Sequence, residues 1–236
     1  IGGMATPFGV YLTTGAISAG AGPLALVSTG MLMFGLFLAG DLSAFYTAEA
    51  LVRRDASESL LWIVRNLMPV TVFFTGLRIL PLAGIHAAEH KVVHAIERGE
   101  ELESEIVKRM PRVHPRCGTN LAVGATLFMS ILFSQVVTSD ELRFLLAVFV
   151  TFICWRPIGT AVQLLITTKP PNDKQIQMGI SAGEELLERY WVTRGAMPGP
   201  LKRIWNSGIF YVVIGSSLCY ALAYGLVRLF GLDVPL

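Results

Sequence analysis

Apolar residues run through this chain in long blocks separated by short charged stretches, the pattern of helices buried by a bilayer rather than by a protein core. A spanning helix needs about 20 predominantly apolar residues. Five windows meet that measure: 23–41, 61–83, 119–137, 142–168 and 206–231. The second carries Arg65 and Arg78, and the fourth carries Arg156 beside Pro157. Such groups are costly in lipid, so they are expected to snorkel or to face neighbouring helices. Segment 1–22 contains Gly2, Gly3, Gly9, Gly15, Gly20, Gly22 and Pro7, a density of breakers that predicts an irregular or re-entrant stretch. No internal repeat interrupts the pattern. The expectation is a single integral membrane domain over 1–236, all-α and polytopic, with about five transmembrane helices.

Composition narrows this further. Of 236 residues, 53% are hydrophobic and 15% charged, against about a quarter charged in ordinary soluble domains. Two of the three cysteines, Cys154 and Cys219, lie inside apolar runs, which suits a reducing or intramembrane setting and excludes a disulfide framework. The N-terminal residues lack a charged start before their apolar run, so no cleavable signal pattern is read there. The net charge of +2 changes little, and no nucleic-acid partner is expected.

The position of the charges is more informative than their sum. Loop 84–118 carries six Lys/Arg and loop 169–205 another six, whereas 42–60 has only Arg53 and Arg54, and 138–141 has none. By the positive-inside rule both basic loops are cytoplasmic, and five spans give the parity that this requires. Within the second loop, 184–191 (EELLERYW) predicts a short amphipathic helix, with Tyr190 and Trp191 as interfacial anchors or simply on a solvated face.

Candidate chemistry is concentrated in the first basic loop. All four histidines, His86, His90, His94 and His114, fall between positions 86 and 114, together with Cys117, the only cysteine outside an apolar run. From 86 the sequence has no breaker before Gly99, so a helix should continue out of the second span. At roughly 100° per residue, His86, His90 and His94 fall within about 80° of arc, with Glu97 between the first two. Gly99 permits a reversal, ELESEIVKRM can form a second short helix ending at Pro111, and His114 and Cys117 could then fold back.

Imidazole, thiolate and carboxylate at these spacings suit a divalent transition metal, zinc above all. HAAEH also fits the inverted-zincin pattern H-x-x-E-H, in which Glu89 would activate water. A second ligand set, His90, His94, His114 and Cys117, is chemically as sensible, and so is a purely structural cluster satisfied by Glu89, Glu97, Glu100 and Glu101. Arg112 and Arg116 are candidates to hold an anionic group. Cys117 could alternatively be a nucleophile or a small buried thiol.

The runs HAAEHK, with Glu97 downstream, then HPRCGT, then TTKPPNDKQIQMGISAGEELL resemble the YqhQ family of bacterial membrane proteins. That family's usual pattern is H-G-A-E-H-K, a following E-x-G-E-E-L, H-P-R-C-G-T and T-T-x-E-P-D-D-x-Q. Here Ala87 replaces the glycine, and Lys169, Pro170, Pro171 and Asn172 replace the acidic version, while every candidate ligand stays in place. The resemblance spans 60–190 and extends to the opening GGMATPFGV. It implies a metal-dependent enzyme of the bacterial cytoplasmic membrane and leaves the substrate open.

Two functions follow from these readings. One is a metal-dependent membrane hydrolase, acting at the cytoplasmic surface on a peptide or lipid-linked bond, with Glu89 as proton acceptor. The other is a non-catalytic subunit of a membrane complex or homo-oligomer, whose histidines only staple the loop. A transporter would call for carboxylates or histidines in the middle of the spans, where the sequence offers arginines.

Overall fold

The computed structural model describes residues 1–134, 138–193 and 198–231. It is mostly helical and opens with a small sheet. Strands β1 (Gly2–Thr6), β2 (Gly9–Thr13) and β3 (Ser18–Gly20) form an antiparallel meander in that order. This corrects the irregular or re-entrant expectation for 1–22. Pro7 falls in the turn between β1 and β2, where the Thr6 hydroxyl donates to Gly9 O at 2.8 Å, and Gly15 lies between β2 and β3. Gly2, Gly3, Gly9 and Gly20 are in the strands themselves, and the five residues of β2 are all buried. Gly20, at φ +81°, admits no Cβ, because one would meet Val10 O at 2.1 Å.

Helix α1 (Pro23–Val52) begins with proline at its first turn and runs eleven residues beyond the apolar window, carrying Glu49 with it. Helix α2 (Glu58–Ile79) is capped by Ser57. It does not continue into the histidine segment as expected. Leu80, forced extended by the proline that follows it, breaks the chain, and α3 (Leu82–Arg98) starts afresh until Gly99 closes it in the left-handed conformation. Then come α4 (Ser104–Arg109), α5 (Gly118–Leu132), α6 (Asp140–Val162) with a π-turn at Gln163–Thr167, α7 (Asp173–Val192), α8 (Pro200–Trp205) and α9 (Ile209–Phe230).

Among the described residues, four helices are long and apolar enough to cross a membrane: α1, α2, α6 with its π-turn, and α9. The remaining window, 119–137, is represented by α5, whose 15 residues give about 22 Å, short of a hydrocarbon core about 30 Å thick. Positions 135–137 of that window lie outside the described residues, as does Arg194 of the second basic loop. Glycines bring the long helices close. A Cβ on Gly30 would meet Val212 O at 1.9 Å, and one on Gly40 would meet Pro69 O at 2.7 Å, so α9 and α2 lie directly against α1. Helices α5 and α6 pair as a separate hairpin.

The sheet, α3, α4 and α7 build one compact body with its own core, including Leu12, Val92, Val107, Ile176 and Leu186. Both basic segments meet in it. Lys169 N–H donates to Ala83 O at 3.1 Å, and its ammonium donates to Ile79 O at 3.0 Å and Leu80 O at 2.9 Å, satisfying carbonyls that the end of α2 leaves open. Lys108 pairs with Asp173 at 2.9 Å. The stretch 184–191 is part of the longer α7, and Tyr190 and Trp191 stand exposed on it. Arg78 reaches Thr168 O, and Arg156 lies over the Trp155 ring at 5.2 Å, so both find protein partners.

Candidate metal centre

Helix α3 sets one face against α7, where Gly179 and Gly183 make room for Val92, and turns its histidine stripe toward loop 110–117. Backbone carbonyls of that loop dock on the stripe. His90 Nδ1 lies 2.7 Å from Arg112 O, and His94 Nε2 lies 2.9 Å from Val113 O, so imidazoles one turn apart hold carbonyls one residue apart. Lys91 Nζ donates to Lys108 O at 2.7 Å and also to Met110 O. Lower down, His114 Nε2 lies 3.3 Å from Glu97 Oε2, and Arg116 forms an ion pair with Glu97. The reversal expected after Gly99 therefore occurs and returns both His114 and Cys117 to the helix.

His86, His90 and Cys117 converge, with one ligand atom from each lying within 4.8 Å of the other two. His86 Nδ1 is 3.0 Å from Thr167 O, and His90 Nδ1 is held by Arg112 O. Each carbonyl fixes the ring proton on Nδ1 and leaves the Nε2 lone pair available, the usual outer-shell support of a metal-binding histidine. His86 Nε2 lies 3.4 Å from Cys117 Sγ. Bond lengths of about 2.1 and 2.3 Å around a tetrahedral zinc would hold such a pair at about 3.6 Å, so the donor set fits. Burial, reinforced by the neighbouring His86, pushes the His90 imidazole down to about 3, which keeps it neutral and able to coordinate. Burial raises the Cys117 thiol, and a bound cation would oppose that shift.

Glu89 lies one residue before His90 and is buried, and its Oε2 has no hydrogen-bond partner. Burial raises this carboxyl to about 7, against the lowering influence of His86 and with a smaller raising contribution from Cys117. An orphaned buried carboxyl oxygen beside a thiol and two imidazoles is the kind of exception to hydrogen-bond satisfaction that marks reactive sites. Strand β1 covers it. A Cβ on Gly3 would fall 2.5 Å from Glu89 Oε1, so the glycine of the opening motif is what lets the strand pass over the carboxyl. His86, Glu89, His90 and Cys117 all line one cavity of about 840 Å³.

Residues 27–158 match the model of a family described as "Protein of unknown function (DUF1385)". The chain belongs to that family. No curated protein and no solved structure matches it. The matched segment holds every candidate ligand and Glu89, whereas Gly3 and the π-turn lie outside it.

Of the other candidates, His94, His114 and Glu97 sit beside the convergent group and hold the loop, each engaged with protein atoms. Arg116 lines the cavity while paired with Glu97, and Arg112 reaches Leu164 O at 3.4 Å. Sequence reasoning missed Gln163 and Asn120. Gln163 is fully buried on the π-turn. Its Oε1 accepts from His114 N–H at 3.0 Å, and its Nε2 donates to His114 O at 3.3 Å and Asn120 Oδ1 at 2.8 Å. The available signal was a lone amide in an apolar run, and π-turns frequently occur at functional sites.

Proposed function

We propose that this protein is a metal-dependent membrane hydrolase in which His86, His90 and Cys117 hold a divalent cation, most suitably zinc, and Glu89 is the proton acceptor. The observation that carries the reading is the convergence of three ligand atoms within 4.8 Å beside a buried carboxyl with an unpaired oxygen, all on the wall of one cavity. Three protein ligands are the number found in catalytic rather than closed structural zinc sites. A cation bound there supplies Lewis acidity, polarising a carbonyl or phosphoryl oxygen and making water a stronger acid. Glu89 Oε2 takes the proton of the attacking water and returns it to the leaving oxygen or nitrogen as the scissile bond breaks. Thr167 O and Arg112 O keep the two imidazoles oriented throughout.

Membership of the YqhQ family is part of this reading, supported by the HAAEHK and HPRCGT runs. So is a location in the bacterial inner membrane with five passes, α5 serving as a short third span and both basic segments cytoplasmic. A second reading, a non-catalytic membrane subunit or homo-oligomer, draws on the same stripe. His90 and His94 clamp loop carbonyls, which is a structural task that needs no cation.

Metal analysis of protein purified after zinc-replete growth separates the two. About one zinc per chain is expected, lost on His90→Ala and on Cys117→Ser, with X-ray absorption giving two nitrogens, one sulfur and one light, non-protein ligand. A metal-free wild-type protein would transfer the case to the subunit reading, and four protein ligands would make the site structural.

A further inference from the structure

The cavity at the cluster does not stop at the polar groups. On one side it follows a single face of α5, through Thr119, Ala122, Val123, Thr126, Leu127 and Ser130. Those positions recur at three- and four-residue spacing, so they form one continuous stripe. From Gly118 to Ser130, both on the cavity wall, the rise is about 18 Å, more than half of a hydrocarbon core about 30 Å thick. The facing wall comes from the α1–α2–α9 group, with Met33, Phe73, Phe74, Leu77 and Val212. Helices α5 and α6 pack on each other and α1 packs on α2 and α9, so the cleft runs between two helix groups. Ala122, Thr126 and Ser130 remain exposed within it.

We infer that this cleft seats the hydrocarbon chain of a membrane lipid, with the lipid's polar end at His86, Glu89, His90 and Cys117. The inference rests on the hydrolase reading for what happens at the polar end, but the seating of the chain stands on the walls alone. A volume of about 840 Å³ lies within the range of about 300–1,000 Å³ typical of small-molecule sites. The polarity changes along its length as that of a lipid does: imidazole, thiol and carboxyl at one end, mainly methyl and phenyl groups at the other, with only scattered hydroxyls such as those of Thr126 and Ser130 among them. An extended peptide fits these walls less well. It would bring a donor and an acceptor per residue into a channel whose deeper lining offers few partners, and each unsatisfied group is costly there. A methylene chain brings none.

The test uses the full chain in lipid vesicles containing a diacyl phospholipid with a photoactivatable diazirine in one acyl chain. Saturable labelling is expected on the Ala122–Thr126–Ser130 face. Leu121, 72% exposed on another face of the same helix, should label without saturation as ordinary annular contact. Ala122→Trp and Thr126→Trp should cut the saturable labelling at least fivefold while zinc content and melting temperature stay at wild-type values. Equal, non-saturable labelling of both faces overturns the inference, as does displacement of the label by a hydrophobic peptide but not by unlabelled phospholipid. Because zinc is read separately, loss of the metal with retained saturable labelling sinks the hydrolase reading and leaves the lipid cleft standing. Bound zinc without saturable labelling does the reverse.

Discussion

Gln163 offers a direct measure of how firmly the membrane helices grip the site. The change Gln163→Leu keeps the side-chain volume nearly constant but removes both amide functions. His114 N–H loses its partner at 3.0 Å and Asn120 Oδ1 its partner at 2.8 Å, both at residues that are nearly inaccessible to solvent. His114 O loses a third contact at 3.3 Å but keeps a long one to Asn120 Nδ2 at 3.5 Å. At about 1–3 kcal/mol for each buried group left unpaired, two orphaned groups predict a loss of about 2–6 kcal/mol. Denaturant titration in mixed micelles measures it. Asn120→Ala removes the other end of the same contact, so the double variant should cost less than the two single losses added, by about 0.5–3 kcal/mol. If the variants are strictly additive, or if Gln163→Leu stays within about 0.5 kcal/mol of wild type, the amide bridge contributes nothing and the loop is held by the histidine clamp alone.

Gly3→Val should lower stability by about 1–3 kcal/mol through overpacking against the Glu89 carboxyl, and Glu89→Ala in the same chain should restore most of it; thermal melts of the two variants that show no rescue would remove strand β1 from the site. A membrane-impermeant thiol reagent, applied to intact and inverted vesicles of a chain lacking its native cysteines, should label cysteines placed at Ala56 and Glu101 from opposite sides. Labelling of both from one side would mean that α2 does not cross.

Much of the helical layout could be read locally. Gly99 ends α3 in the left-handed conformation that only glycine adopts freely, Pro111 follows the short α4, and His86, His90 and His94 share a stripe because four-residue spacing brings each nearly under the last. The break before Pro81 was also local, a consequence of the preference of Leu80 for extended backbone, yet it was hidden by the apolar run that continues across it. The sheet was masked differently. Its strands are three to five residues long and rich in glycine, and only pairing with one another, together with contacts such as Gly20 N–H to Glu185 Oε2 at 2.8 Å, makes them strands. Spacing could nominate two ligand sets. What favours His86 with His90 and Cys117 is the carbonyl of Thr167, 81 residues away in sequence, which turns the His86 ring toward the thiol. The amino-acid sequence alone determined which donors exist and which helix carries them, because propensity and periodicity act between neighbours. The tertiary structure decided which donors meet, because the hydrogen bonds that aim their rings join segments remote along the chain.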